Sequence, residues 1–401
     1  MPIPHRGTGM HLDADVIVVG AGLAGLSVAL ELTQRSAGSR SVLVIDARPQ
    51  AADDRIWCRF DIDPHLFPEA EVQRWSAIEY GDRHGLHTRT LDAPYVRICA
   101  ATLHASAAAR LGQFKGTQMR WGVAVEEISG GAERASVHCA DSTLSARYVI
   151  DTRPKPVASI LRQRFEGLRI EVPDDTFDPA CATLMDFAEP DSRGAHFMYL
   201  LPSSQRSALI EDTWFAPESA ALPAAEPAIR QYLAQRFGIT EFLIVGNERG
   251  DLPMGSLRLG PRQVAERHLA LGVGAGDIRD ATGYAYTAIG RTARAMATWL
   301  LDALNTQRAA PVPPMRAFSR SVGAMDRLFL KALARQPEDA QRWFCALFAR
   351  VPSPTLERFL HDGGSWRDRA RVIGALPARP FLRAAGTPVA RCVPHVRRPI
   401  E

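Results

Sequence analysis

The stretch Val16-Ile17-Val18-Val19-Gly20-Ala21-Gly22-Leu23-Ala24-Gly25 joins a run of β-branched residues to a Gly-x-Gly-x-x-Gly turn. The β-branched run is typical of a buried parallel strand. Leu26 and Leu30 continue the apolar spacing of a helix beyond the turn. A second apolar run, Ser41 to Ile45, ends in Asp46, about 20 residues after the last glycine. Strand, turn, helix and strand-terminal acid together predict a dinucleotide-binding unit.

Each position of the turn has a physical reason. Gly20 permits the tight turn, Gly22 lets a diphosphate approach the backbone, and Gly25 lets the helix pack on the strand. The helix N-terminus attracts the phosphates, and Asp46 would accept hydrogen bonds from ribose hydroxyls. A glycine-rich turn that binds no ligand is the alternative. The predicted cofactor contacts in this region are Gly20, Gly22, Leu23, Ala24, Gly25, Asp46 and Ala47.

Composition excludes several classes of protein. The 401 residues are 46% hydrophobic and 23% charged, which is ordinary for a globular chain of two or three domains. A net charge of +4, without clustered basic residues and aromatics, argues against nucleic-acid binding. Six scattered cysteines indicate neither disulfides nor a metal site, so we expect a reducing cytoplasm. The longest apolar stretch, Val16 to Leu30, is shorter than the ~20 residues of a spanning helix.

The segments that follow favour FAD over a nicotinamide dinucleotide. Alternating runs at 118–125, 135–139 and 146–153 predict a small β-meander. This arrangement resembles the FAD-binding domain of the flavoprotein hydroxylase and reductase superfamily. The resemblance extends to Gly276-Asp277, then Gly283-Tyr284 and a helical stretch from Ala288 to Leu304. It implies that Asp277 or nearby backbone contacts the ribityl or diphosphate oxygens of FAD.

Two adjacent acids stand out in the middle of the chain. Residues 182–187, 195–201 and 207–213 read as three short strands, and the last contains Glu211 and Asp212 near its end. Side chains alternate along a strand, so only one of the two acids can face a given pocket. A strand that ends in a solvated acid and a turn-forming aspartate is the plainer interpretation.

Several segments together resemble the bacterial-type lycopene beta-cyclases over nearly the whole chain. The segments are Gly20–Leu26, Ile45–Ala47 with a polar linker to Trp57, Phe197–Pro202, Leu209–Thr213, Ala281–Tyr284, and Phe348–Pro352 through Arg371. The resemblance implies cyclisation of an acyclic carotenoid end without net redox change. It also implies a requirement for reduced FAD, with NAD(P)H as the expected reductant.

This chemistry explains an acid in an apolar pocket. Protonating a carbon–carbon double bond needs a carboxyl that stays neutral, and burial favours the neutral form. By match to the family motif, Glu211 is the predicted acid or cation-stabilising group, and Asp212 is its predicted partner. The resemblance also places Arg55 and Trp57 near the flavin, together with Gly276, Gly283 and Tyr284. The predicted substrate contacts are Phe197, Tyr199, Trp214 and the carboxyl of Asp186; plain core packing is the alternative for the aromatic ones.

Two stretches depart from the family pattern. Asp54-Arg55-Ile56-Trp57 replaces an Asn-His-Thr-Trp type sequence, and Arg279-Asp280 replaces a His-Pro pair. A cyclase of another prenyl or terpenoid olefin therefore stays open. Gly276-Asp277 resembles the hydroxylases, so a FAD-dependent monooxygenase of an isoprenoid or aromatic substrate is a second alternative. A non-catalytic prenyl carrier is the third.

From Pro314 onward the chain reads as short helices, divided by Pro337 and by Pro352-Ser353-Pro354. A helical cap on the substrate domain is one interpretation. The other is a peripheral membrane surface on the inner face, because exposed Phe and Leu beside arginines suit a bilayer interface.

The predicted fold class is α/β, with a Rossmann-type FAD-binding domain, an inserted antiparallel substrate-binding sheet and a helical C-terminal cap. We expect the FAD-binding domain at 1–153 and 261–310, the insertion at 154–260 and the cap at 311–401.

Overall fold

The computed structural model describes residues 12–49, 55–82, 84–257, 259–306 and 311–386. Expectations for Asp54, Cys392 and the two chain ends lie outside these residues. The strands of the described residues are β1 (Ala14–Val19), β2 (Val42–Asp46), β3 (Ile56–Phe60), β4 (Glu71–Asp82), β5 (Gly85–Cys99), β6 (Thr117–Trp121), β7 (Val125–Gly130), β8 (Ala135–Cys139), β9 (Ser142–Asp151), β10 (Ser159–Glu171), β11 (Cys181–Phe187), β12 (Ala195–Pro202), β13 (Ser207–Ala216), β14 (Leu243–Ser256), β15 (Gln263–Ala265) and β16 (His268–Ala270). The α-helices are α1 (Leu23–Arg35), α2 (Ala100–Leu111), α3 (Ala225–Phe237), α4 (Tyr286–Thr306), α5 (Arg320–Arg335), α6 (Ala340–Arg350), α7 (Ser353–Asp362), α8 (Trp366–Ala375) and α9 (Ala378–Ala385).

The first sheet is built around β1. Its path runs β15-β16-β9-β1-β2-β6, with parallel pairing from β16 through to β6. The helices α1, α2 and α4 pack on one face, and the β7–β8 hairpin covers the other. Both faces of β1 are therefore buried, which explains its continuous apolar run.

The second sheet has the order β14-β10-β13-β12-β11-β4-β5-β3 and is antiparallel except for the β11–β4 pair. One face packs against the C-terminal helices and the other against α3. Strands β3 to β5 belong to this sheet, although the sequence analysis placed them in the FAD-binding domain. The expected boundary at residue 153 therefore does not separate the two sheets, because the long connection between β2 and α2 also adds strands to the second one.

β13 is longer than the sequence predicted. It continues through Trp214 and Phe215 to Ala216, and these residues pair with β10 and β12. Bulky aromatic residues favour strand structure, so the ladder does not stop at Thr213. Glu211 consequently lies in the middle of a central strand, and the expectation that it marks a strand end is wrong.

The C-terminal helices α5 to α9 form the cap over the second sheet. Its attachment includes Arg279, which is fully buried, pairs with Asp326 of α5 and lies over the ring of Phe359 at 4.2 Å. Among the described helices, none is both long and apolar enough to cross a membrane. The predicted fold class is confirmed: a Rossmann-type sheet, a largely antiparallel second sheet and a helical C-terminal region.

Candidate active site

A cavity of about 490 Å³ lies between the segment 273–286, the second sheet and the cap. Its walls combine apolar and aromatic side chains with a few polar groups. They include Arg55, Trp57, Cys58, Tyr95, Phe165, Met185, Phe197, Tyr199, Glu211, Thr213, Phe215, Glu248, Gly283, Tyr284, Tyr286, Phe344 and Phe348.

The glycine turn forms an open cradle at the N-terminus of α1. Gly20 has a φ of +102°, and a Cβ on Gly25 would lie 1.8 Å from the Gly20 carbonyl oxygen. In contrast, a Cβ on Gly22 would meet no atom within 4 Å. Gly22 is the N-cap of α1, and the first turn of that helix holds no acidic residue. Open space in front of unsatisfied helix N–H groups suits a diphosphate.

The end of β2 lies beside this cradle. The backbone N–H of Ala21 donates to Asp46 Oδ2 at 2.5 Å, and Arg48 binds the same carboxylate. Burial raises the pKa of Asp46, but the hydrogen bonds from Arg48 and Ala21 outweigh it, so the pKa lies below its ordinary value. Asp46 is thus an ionised acceptor at the position where a ribose is expected. Ala47 follows it on the surface.

The segment from Gly272 to Tyr284 packs directly on the glycine turn. A Cβ on Gly272 would lie 3.1 Å from Ala24 Cβ, and Gly276 and Gly283 have φ values of +86° and +71°. Gly283 and Tyr284 line the cavity. Trp57 of β3 and Arg55, the residue before that strand, line it as well.

Asp277 does not face the cavity. Its side chain is fully buried, accepts hydrogen bonds from Arg262 and accepts the Gly272 N–H at 2.7 Å. The expected contact of this carboxylate with a cofactor is therefore corrected, because the carboxylate instead holds the turn that begins at Gly272. Only backbone near Asp277 remains available for such a contact.

Glu211 points from β13 into the cavity. It is 6% exposed and shares its face of the strand with Thr213 and Phe215. Burial raises the pKa of Glu211 well above its ordinary value, and the negative charge of Glu248 raises it further. Both causes favour the protonated form of this carboxyl.

Three tyrosines close the wall beside Glu211. The hydroxyl of Tyr95 lies 2.8 Å from that of Tyr199 and 3.0 Å from that of Tyr284. These hydrogen bonds link the three side chains, which all line the cavity. Phe197 lies in the same wall. Tyr95 was not among the predicted site residues, because it lies in the long strand β5 with no motif around it.

Three predicted site residues lie on the opposite face of the sheet. Asp212 contacts His196 and accepts from Trp214 Nε1 at 3.1 Å, and Trp214 stacks on His196 with ring centroids 3.9 Å apart. Asp186 accepts from Tyr232 at 2.9 Å and pairs with Arg236, both on α3. The expected roles of Asp212, Trp214 and Asp186 in the pocket are therefore corrected. The cause is the two-residue alternation of a strand, which turns them toward α3.

Comparison with known proteins identifies the family. The family described as "Lycopene cyclase protein" matches residues 15–386. The chain belongs to the lycopene cyclase family. This confirms the resemblance seen in the sequence. The lycopene beta-cyclase of Pantoea ananas is 28% identical to this family member over 388 residues, covering 92% of this chain and 96% of that protein. The lycopene beta-cyclase of Paracoccus sp. is 28% identical over 398 residues, with coverages of 95% and 97%.

Solved structures resemble this lycopene cyclase family member in fold. Halogenase PltM, crystallised with phloroglucinol and FAD, superposes with a TM-score of 0.60 at 13% identity and covers 94% of each chain. A geranylgeranyl bacteriochlorophyll reductase-like protein from Thermoplasma acidophilum gives a TM-score of 0.59 at 12% identity, with coverages of 93% and 98%. Identities this low establish the fold alone.

The position of Asp212 leads to a first prediction. We expect Asp212→Asn to keep the cyclisation rate within about threefold of wild type, because the side chain faces α3. The free energy of unfolding should fall by ~1–3 kcal/mol, since a buried charged hydrogen bond to His196 is weakened. Denaturant unfolding and product formation measure the two effects. A loss of turnover above about a hundredfold in a variant that remains folded would place Asp212 in the reaction.

Proposed function

We propose that this protein is a flavoprotein cyclase that protonates and cyclises an acyclic, lycopene-like carotenoid end without net redox change. One observation carries the proposal: Glu211 is a buried carboxyl with a raised pKa in a largely apolar cavity, whose wall residue Val273 follows the Gly272 that packs on Ala24 of the dinucleotide cradle. Such an acid has no evident use in a purely structural core, because burying it costs free energy.

The glycine cradle and the cavity residues near it together suit FAD as the cofactor. The diphosphate would lie at Gly20, Gly22 and Gly25, beside the N–H groups of Leu23 and Ala24. Asp46 and Ala47 would hold the ribose. The ring system would lie near Arg55, Trp57, Gly283 and Tyr284. When bound in its reduced form, FAD supplies electron density that stabilises a nearby carbocation. NAD(P)H is the proposed reductant.

Glu211 begins the reaction in this proposal. Its O–H bond breaks as a C–H bond forms at a terminal double bond of the polyene, and a second double bond attacks the resulting cation to close the ring. The faces of Tyr199, Phe197 and Phe215 stabilise the positive charge without trapping it. The hydroxyl of Tyr199 is held by Tyr95, which keeps it from acting as a nucleophile. Loss of a ring proton completes the product.

Anaerobic turnover tests the proposal. Purified protein, chemically reduced FAD and lycopene in detergent should give a cyclic product with the same mass as the substrate. Cells that make lycopene should show the same pigment change when they express the protein. Consumption of NADPH and oxygen with substrate hydroxylation would instead indicate a monooxygenase. Bound, unchanged pigment would indicate a carrier.

A second cavity offers a route by which the polyene enters the first one. It measures about 300 Å³, is lined almost entirely by apolar cap residues, and shares Phe344, Leu347 and Leu360 with the first cavity. Two of its lining residues, Ile373 of α8 and Leu382 of α9, are 59% and 72% exposed. We propose that this edge of the cap contacts a membrane peripherally, on the cytoplasmic side, and that the polyene enters between α8 and α9.

The membrane contact gives a second prediction. We expect Ile373→Asp with Leu382→Asp to reduce binding to liposomes at least ~tenfold, because two carboxylates would enter the apolar interface. Sedimentation without substrate measures the effect. The matched control is Val264→Asp on β15, a 43% exposed position on the first sheet. Equal binding of the double variant and wild type would contradict the contact.

A further inference from the structure

The second sheet aligns two carboxyls on either side of a glycine. Strand β10 lies between β13 and β14, and Gly167 pairs with Glu211 on one side and with Glu248 on the other. Residues in one cross-strand row point to the same face of a sheet. Adjacent strands are ~4.8 Å apart, so the two glutamate backbones lie ~10 Å apart across the glycine.

The glycine is what lets the two side chains approach each other. A Cβ on Gly167 would lie 2.8 Å from Glu211 Cγ and 3.2 Å from the Ile210 carbonyl oxygen. The Glu211 side chain therefore already lies over Gly167, on the side where Glu248 stands. A larger residue at position 167 would push it away.

Glu248 is a buried, hydrogen-bonded residue of the cavity wall. It is 9% exposed, lines the same cavity as Glu211, and its Oε1 accepts the backbone N–H of Ile56 at 3.1 Å. A hydrogen bond from a backbone N–H favours the charged form of a carboxyl. The two glutamates thus differ: burial and the neighbouring charge raise the pKa of Glu211, whereas Glu248 accepts a backbone N–H that favours a negative charge there.

We propose that Glu248 is a second catalytic carboxyl, which takes the ring proton that ends the reaction begun by Glu211. The inference rests on the proposed cyclase function. A C–H bond of the cyclised cation breaks, its electrons form the ring double bond, and the proton binds a Glu248 oxygen. Glu211, left as a carboxylate by its own donation, then recovers that proton from Glu248. The pair ends with the one proton it began with, so the cycle needs no oxidant, reductant or net proton.

Electrostatics support a pair that shares one proton. Two buried carboxyls at close range do not both ionise, so the charge on one keeps the proton on the other. The other titratable or charged groups among the described residues that face the pair or line the cavity beside it are Cys58 of β3, Tyr95 and Arg97 of β5, Tyr199 of β12, Tyr284, Tyr286, Arg55 and Arg249.

Glu248→Gln tests the proposal through turnover and through the titration of Glu211. We expect a ~10²-fold or greater loss of cyclisation with FAD still bound, because the amide cannot accept the proton. The infrared carboxylic C=O band of Glu211, identified by its loss in Glu211→Gln, should disappear at lower pH than in wild type. The sign follows from the charge: without the carboxylate of Glu248, less repulsion holds the proton on Glu211.

Glu166→Gln is the matched control, since Glu166 is the exposed neighbour of Gly167 on the same strand. It should change neither readout. Glu248→Asp keeps an acceptor and should recover part of the turnover. Gly167→Ala, which displaces Glu211, should lose turnover with both acids present.

The outcomes separate the inference from the function it rests on. Wild-type turnover in Glu248→Gln overturns the role as base, even when the infrared band shifts. An unshifted band overturns the coupling of the pair. If wild-type protein makes no cyclic product, the proposed function fails, whereas the infrared titration still reports whether the two carboxyls interact.

Discussion

Glu211→Gln is expected to lower the cyclisation rate by ~10²–10⁴-fold while FAD stays bound. Glutamine has nearly the same volume as glutamate, so the packing against Thr213, Phe215 and Tyr199 is retained. It cannot supply an acidic proton to a carbon–carbon double bond. The rate of cyclic product formation under anaerobic conditions, with the flavin absorbance as a check on cofactor content, measures the effect.

The same variant is expected to gain stability as it loses function. The pKa of Glu211 is raised in the folded state by burial and by Glu248, so the folded protein holds this proton more tightly than the unfolded chain does. Wild-type stability therefore falls as pH rises above the ordinary glutamate pKa of ~4.3, and it continues to fall up to the raised pKa. A neutral glutamine removes that penalty. At neutral and alkaline pH, the unfolding midpoint of Glu211→Gln should exceed that of wild type.

Glu171→Gln is the control, because Glu171 is an exposed carboxyl at the far end of β10. It should alter neither the rate nor the midpoint. Wild-type turnover in Glu211→Gln would remove Glu211 from the mechanism. A midpoint that falls at alkaline pH would show that Glu211 is charged in the folded protein.

The front of the fold was readable from sequence because its signals are local. The β-branched run, the glycine turn and Asp46 all fall within about 30 residues, the size of a βαβ unit. The structure places Asp46 one hydrogen bond from Ala21 of that turn. Local steric rules sufficed for the left-handed φ of Gly20 and for Gly25, whose Cβ would meet the Gly20 carbonyl oxygen, although the space beside Gly20 is filled by the distant Thr152.

The sequence predicts that Glu211 and Asp212 point to opposite faces of the sheet, but not which face meets the cavity. Alternation separates Glu211 from Asp212, and it also puts Trp214 on the side of Asp212. The expectation that Trp214 lines the pocket therefore conflicted with the strand period itself. Which face meets the cavity depends on α3 packing against the other one, and that long-range choice is absent from the local pattern.

Glu248 and Asp277 were beyond sequence reasoning for different reasons. The polar stretch Asn247-Glu248-Arg249-Gly250 lies within strand β14, and Glu248 joins the cross-strand row of Glu211 only through pairing with β10. Asp277 follows a glycine as in flavin-binding motifs, but Arg262 and the Gly272 N–H occupy its carboxylate. The strand register of Glu248 and the burial of Asp277 depend on contacts between distant segments, which a single sequence does not reveal.

Gly22→Asp is expected to weaken FAD binding strongly and to stabilise the protein without its cofactor. A Cβ at Gly22 meets no atom within 4 Å, and the backbone at −77°, −176° is extended, so aspartate fits without strain. Its carboxylate would cap the N-terminus of α1, adding ~0.5–1 kcal/mol to the free energy of unfolding. The same carboxylate would stand where the diphosphate is proposed to bind. A charge repulsion of a few kcal/mol at ~4 Å corresponds to a loss of affinity of ~10²–10³-fold.

Isothermal titration with FAD and thermal unfolding of the FAD-free protein measure the two opposite effects of Gly22→Asp. Gly260→Asp adds the same charge at an exposed glycine with no atom near its Cβ position, outside α1, and should change neither quantity appreciably. The opposed signs matter, because a variant that simply misfolds loses affinity and stability together. Retained FAD affinity in a stabilised Gly22→Asp protein would mean that the diphosphate does not lie at the N-terminus of α1, and the cofactor placement proposed for this cavity would be wrong.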